Sequence, residues 1–236
     1  MKLAFLEGLL DASHPRSGRA LVTDLVSGAQ RLITLRHSSG DLSLDEAEVS
    51  QVRRAIEEDR SQIIAMRTRE LFVEVWSAVL RLIVIGGVHT AQSLVPLAKL
   101  LGYDVTLVDP RPAFASAARF PDTPLIIEWP DKAVAKLQPD RRTALVTLTH
   151  NPRIDDVALI AALRAETFYI GALGSRRTHA QRRERLGREG FDTTAMDRVR
   201  GPIGLAIGAL TPAEIAVSIM AEITAVLRRS PLAVRA

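Results

Sequence analysis

From Leu80 onward, short uninterrupted apolar runs alternate with longer amphipathic stretches, and this constrains the fold more than any other feature of the chain. The run Leu82-Ile83-Val84-Ile85 has no polar face. As a strand it must be covered on both sides, as happens in a parallel sheet. Residues 90–101 follow with helical spacing and Gly102 as C-cap, then 104–108 as a second strand. Residues 125–128 and 144–148 give two more strands, 154–164 a helix, 168–173 a strand and 177–189 a helix. The last helix starts at Thr211-Pro212-Ala213-Glu214. There Thr211 is the N-cap, Pro212 takes the first helical position and Glu214 reaches back to complete a capping box. Strands joined through helices predict an α/β fold, a parallel sheet with helices on both faces.

The first 75 residues read differently. Residues 20–26 and 31–35 flank Ser27-Gly28 and predict a hairpin. After a turn at 41–45, residues 44–60 carry helical periodicity through Leu44, Ala47, Val52, Ala55 and Ile56. Residues 62–66 and 71–76 are two further strands, the second rich in β-formers such as Phe72, Val73, Val75 and Trp76. The expected organisation is a small α+β N-terminal domain over 1–78, with no recognisable catalytic pattern, followed by the α/β domain over 79–236.

Composition narrows the function classes. With 236 residues, 47% hydrophobic and 25% charged, the chain can fill one α/β core and an appendage. It has no cysteine, which removes disulfides, thiolate metal sites and a cysteine nucleophile. No apolar stretch approaches the ~20 residues that span a bilayer. The apolar run in residues 1–16 is broken by Glu7 and Asp11 and lacks a signal-peptide core, so a cytoplasmic protein without membrane contact is expected. Net charge is +4, but only 4% of residues are aromatic and none interleave with the arginines. Nucleic acid is therefore not an expected partner, and small anions suit the chain better.

Three strand-to-helix turns carry the chemistry. In TFYIGALGSRRTHAQRRERLGR (167–188) an apolar strand breaks at Gly174-Ser175 and a helix opens with Arg176 and Arg177. Freed N–H groups, the helix dipole and guanidinium groups then converge on one anion. The later arginines, Arg182, Arg183, Arg185 and Arg188, are expected to face water. The second turn, Gly86-Gly87-Val88-His89-Thr90-Ala91, lies where a G-x-G-x-x-G/A dinucleotide fingerprint belongs, and Asp109, 23 positions after Gly86, stands where an acid would accept ribose hydroxyls. Val88 replaces the second glycine, and its branched side chain is expected to obstruct a pyrophosphate, so NAD(P) is not an expected cofactor. The third turn is Thr149-His150-Asn151-Pro152, with Asp155 and Asp156 suited either to a site or to the first turn of a helix. The candidate binding residues are Gly86, Gly87, His89, Asp109, His150, Gly174, Ser175, Arg176 and Arg177. All sit at strand ends, the side on which open parallel sheets take ligands. No catalytic or metal-ligating set is assigned. The competing reading is an NAD(P)-dependent oxidoreductase with a degenerate fingerprint, which lacks a hydride-transfer partner such as a Tyr-x-x-x-Lys pair.

Read in order, GGVHTAQ, VDPRPAFASAARFP, THNPRIDD, YIGALGSRRTHAQR and GPIGLAIGALTPAEIAVSIMAE resemble the XdhC/CoxI family over about residues 82–228. Its members are accessory proteins of molybdenum hydroxylases such as xanthine dehydrogenase and carbon monoxide dehydrogenase. The resemblance implies a Rossmann-like domain in a maturation chaperone rather than an enzyme. Such a protein carries the molybdenum cofactor (molybdopterin) during sulfuration and passes it to the apoenzyme, with a cysteine desulfurase as a second partner and a homodimer as the expected assembly. The chain departs from the family pattern at Val88 for glycine, Asn151 for aspartate and Ala206 for aspartate. Two carboxylates are thereby lost, which favours anions.

Overall fold

The computed structural model describes residues 18–34, 37–65 and 69–233, in two compact units that divide between Val79 and Leu80. The expectations for residues 1–16, and the last residues of the strands expected at 31–35 and 62–66, lie outside the described residues.

The first unit is an antiparallel sheet of β1 (Arg19–Asp24), β2 (Gln30–Thr34), β3 (Ser38–Gly40), β4 (Gln62–Ala65) and β5 (Glu70–Trp76), in the order β3-β2-β1-β5-β4. Helix α1 (Glu46–Glu57) lays Val52, Ala55 and Ile56 on Ala20, Val22, Ile33, Leu71 and Val73. Asp45 and Glu48 cap it reciprocally, which fixes where the helix begins. β1 stops two residues short of the expectation because the Asp24 carboxylate accepts the Val26 and Ser27 amides at 2.8 and 2.9 Å and turns the chain. The edge strand β3 is exposed throughout and has no apolar alternation to announce it.

The second unit is a six-stranded parallel sheet, β11-β10-β9-β6-β7-β8, as the alternation predicts. Its strands are β6 (Leu80–Ile85), β7 (Tyr103–Val108), β8 (Leu125–Ile126), β9 (Thr143–Thr147), β10 (Tyr169–Ala172) and β11 (Val199–Arg200). The helices are α2 (His89–Leu100), α3 (Pro130–Leu137), α4 (Pro152–Leu163), α5 (Arg176–Arg188), α6 (Thr193–Asp197) and α7 (Pro212–Leu227). Successive strand residues point to opposite faces, so the all-apolar end of β6 feeds two cores at once. Leu82 and Val84 join Leu94 and Ala98 of α2 and Ile219 and Ile223 of α7, while Ile83 and Ile85 join Ala133 of α3 and Ala158 and Leu159 of α4. Helices α3 and α6 and strand β11 are additions to the sequence expectation. They are too short for periodicity to register, and α6 buries no residue. Among the described residues no helix is long and apolar enough to cross a membrane.

The register levels the strand ends. Ile85 pairs with both Val108 and Thr147, and Thr147 pairs with Ala172. The chain runs outward from β6 through β7 to β8, then returns to the other side of β6 for β9, so the strand order reverses between β6 and β9. At such a reversal the two connections leave in opposite directions and a crevice opens between them.

Candidate functional site

At the β6 end both glycines are there for close approach, but the approaching groups belong to the protein. Gly86 has φ 106°, and a Cβ on it would stand 2.4 Å from Thr149 Cγ2, so this glycine lets the ends of β6 and β9 touch. A Cβ on Gly87 would stand 2.3 Å from the Phe114 carbonyl oxygen, which places the 109–121 segment against the turn. The Gly87 amide donates to Asp109 Oδ2 at 2.9 Å, and its carbonyl accepts from Arg119, which also holds the Phe114 carbonyl at 2.8 Å. Both polar groups of Gly87 are thus spent inside the fold. Val88 is the N-cap of α2, contributes no side-chain cap bond and packs half-buried on the core. His89 opens α2 in a first turn without an acid, and it is exposed.

Asp109 differs from its expected role of presenting a carboxylate to a ligand. It is 0% exposed. Its Oδ1 accepts the Arg111 amide at 3.0 Å and Nε at 2.9 Å, while Oδ2 accepts Arg111 Nη2 at 2.8 Å beside the Gly87 amide. Burial pushes this carboxyl up, but the Arg111 fork and the Gly87 and Arg111 amides together hold it below the usual carboxylate range. An ionised Asp109 therefore locks the first turn to the residues after β7. Arg111 in turn stacks on Phe114, its guanidinium carbon 3.7 Å from the ring centre.

The β9 end is built around a buried carboxyl. Asp155, 2% exposed, accepts the Thr149 hydroxyl at 2.7 Å and the Thr149 amide at 3.3 Å. Burial raises its proton affinity, against the pull of Thr149, Arg182 and His150. His150 follows, exposed, at φ 60°, a conformation that few non-glycine residues adopt. Asn151 caps α4 by accepting the Arg153 amide at 3.0 Å, a task that asparagine and aspartate perform about equally. Asp156 leaves this end to bind Arg185, so this arginine of the run is paired instead of simply solvated.

The β10 end is the open one. Gly174 has φ 143°, and Ser175 caps α5 by accepting the Thr178 amide at 3.1 Å. Arg176 and Arg177 lead an acid-free first turn and are exposed. Behind them the expectation of a solvated arginine face fails at Arg182, which is 2% exposed. Its Nη2 donates to the Leu173 carbonyl at 2.9 Å, and its Nε and Nη1 meet no acceptor among the described residues. Burial pulls this guanidinium below its ordinary value, against the opposing field of Asp155 and Asp156. Arg183 pairs with Asp197 at 2.7 Å, and Arg188 faces water as expected.

Gly86, Gly87 and Asp109 are thus joined directly, and His150 adjoins them through Thr149. Gly174, Ser175, Arg176 and Arg177 share the edge without touching that group, since β10 lies two strand spacings from β6, about 10 Å. Sequence reasoning missed Glu222, 1% exposed on α7, which accepts from the Tyr169 hydroxyl and from the Gly204 amide at 2.8 Å and so anchors the start of the 201–210 loop to α7. A carboxylate spaced helically among Ile219, Met220 and Ile223 was the available signal.

The model of the XdhC Rossmann domain matches residues 82–223. The molybdenum cofactor insertion chaperone PaoD of Escherichia coli K12 is 33% identical over 146 residues, which is 62% of this chain and 40% of that protein. A probable xanthine dehydrogenase subunit of Bacillus subtilis 168 is 32% identical over 166 residues, 69% of this chain and 48% of that one. The chain thus spans less than half the length of these two relatives. A crystal structure of a xanthine dehydrogenase from Bacillus halodurans has the same fold, with TM-score 0.71 at 24% identity over 96% of this chain and 64% of that one. With the family's domain matched over 82–223 and its parallel sheet in place, the chain belongs to the XdhC family.

Proposed function

We propose that this protein is an accessory chaperone of molybdenum hydroxylases, binding the molybdenum cofactor as cargo and passing it to a xanthine dehydrogenase-like apoenzyme. The observation that carries this reading is the carboxyl edge of the sheet. There the β6/β9 reversal lies between the starts of α2 and α4, and α5 opens after the next strand. The first turns of α2 and α5 carry no acid, and His89, His150, Arg176 and Arg177 stand exposed along this edge. The cargo is a pterin that carries phosphate. Helix-start amides and guanidinium groups are the natural partners of phosphate oxygens. The names of two relatives, a cofactor insertion chaperone and a xanthine dehydrogenase subunit, support the same direction.

In this proposal Gly86, Gly87 and Asp109 frame the crevice, while His89, His150, Gly174, Ser175, Arg176 and Arg177 face the cargo. Sulfuration by a cysteine desulfurase, a homodimeric assembly and a cytoplasmic setting complete it. An oxidoreductase reading is weaker, because the Asp109 carboxylate that a ribose would need is already held by Arg111 and Gly87. The test is retention. Under anaerobic conditions, molybdenum cofactor released from a donor enzyme is mixed with the purified chain, and the complex is separated by gel filtration. Pterin, read by fluorescence after oxidation, should co-elute with the protein. A protein peak free of pterin would overturn the proposal.

A further inference from the structure

The crevice has a cation that neither the turn motifs nor the arginine run points to. Arg111 follows β7, whereas Asp155 lies beyond β9, so the strand that carries each is separated from the other by β6. Yet the Arg111 guanidinium lies in the electrostatic field of Asp155. Asp109, which holds this guanidinium, also takes the Gly87 amide, so Arg111 stands beside the end of β6. Three restraints hold it there. The buried Asp109 carboxylate takes Nε and Nη2 at 2.9 and 2.8 Å, and Phe114 supports one face of the guanidinium plane. The backbone of Phe114 is in turn fixed against Gly87 and by Arg119. Asp109 takes Nε and Nη2, and the side chain is 37% exposed, so part of it stays accessible to a ligand.

Asp109 balances one guanidinium. Arg182, which lies in the field of Asp155 and Asp156, keeps Nε and Nη1 without an acceptor among the described residues. His150, which also acts on Asp155, stands exposed. An immobilised fork suits a planar pair of anionic oxygens, and its rotamer entropy is already lost before a ligand arrives.

We propose that Arg111, held by Asp109 and Phe114, is the phosphate-gripping residue of this edge, taking a phosphate or pyrophosphate group of the ligand through its guanidinium. As an assignment to the molybdenum cofactor this rests on the function proposed above. As an anion site it stands on the geometry alone.

The experiment titrates inorganic pyrophosphate, and separately inorganic phosphate, into the full chain by calorimetry, for the parent protein and for Arg111→Ala and Arg111→Lys. The lysine variant keeps a positive charge near Asp109 and guards against loss of folding, which thermal melting monitors. Lysine offers a point charge instead of a fork, so it should weaken pyrophosphate binding about tenfold or more, with alanine at least as damaging. A parent that binds pyrophosphate more tightly than phosphate assigns the pocket to a diphosphate linkage. Equal affinity assigns it to a terminal phosphate. Arg111→Lys binding as tightly as the parent, or a parent that binds neither anion, overturns the assignment. The pterin-retention assay on the same proteins separates the two proposals. Anion binding that depends on Arg111 without pterin retention leaves this site standing and removes the function. Retention indifferent to Arg111 does the reverse.

Discussion

Two strand-to-helix turns of this protein begin from similar sequence and end in opposite states. At Gly86-Gly87-Val88 the turn is closed. Phe114 lies on Gly87, Asp109 and Arg119 take its amide and carbonyl, and Val88 packs on the core. At Leu173-Gly174-Ser175 the turn is open. Its nearest neighbour is the Thr178 side chain of its own helix, and the cations that follow face water. A glycine in a sequence therefore announces a close approach without saying what approaches. In this protein the first glycine turn is sealed by the protein's own groups, and the second is followed by exposed cations.

The contrast can be broken experimentally, starting with its largest consequence. Gly87→Ala must displace backbone, since its Cβ would lie 2.3 Å from the Phe114 carbonyl oxygen. It should cost about 3 kcal/mol in denaturant unfolding. An unchanged midpoint would mean that the 109–121 segment does not rest on this turn. At the open turn the loss moves from stability to affinity. Arg176→Ala should leave the melting temperature alone and reduce cargo binding about tenfold, the worth of one charge-assisted contact. Equal retention of pterin by parent and variant would take Arg176 out of the site.

Ser175→Ala removes the hydroxyl that caps α5 and should lower stability by about 1 kcal/mol, as judged by thermal or denaturant unfolding. A larger loss would reveal that the hydroxyl does more than cap. The smallest effect is a slope. Asp155 binds its proton more tightly in the fold than in the unfolded chain, chiefly through burial. Its contribution to stability is therefore full at low pH and is lost as pH rises from the ordinary carboxyl range through the raised native value. Asp155→Asn keeps an oxygen for Thr149 and removes that loss. The variant's stability relative to the parent should rise with pH across this window, and parallel pH curves would contradict a raised proton affinity at Asp155.

Local chemistry made much of the architecture legible in advance. The apolar β6 run, the capping box at Thr211 and Glu214 and the turn at Gly174-Ser175 each act within a few residues, and the structure contains them where the sequence puts them. The same holds for the family motifs, most of which fall at strand ends. What could not be read locally is the partner of each polar group. Asp109 has the spacing of a ribose acceptor and is instead a clamp on Arg111 and Gly87. Arg182 belongs to a run that reads as solvated, yet its place on α5 turns it into the protein beside Leu173.

The sequence by itself determined that this chain forms a parallel α/β sheet with its candidate residues at the strand ends, because strand burial and helix capping are set by neighbours in the chain. Tertiary structure alone decided which of those ends is sealed and which is open. That choice depends on strand order and on a loop that folds back from Asp109 onto Gly87, a pairing across 22 positions. No periodicity encodes such a pairing. It is fixed when burial leaves a carboxylate, an amide and a guanidinium with one another as their available partners.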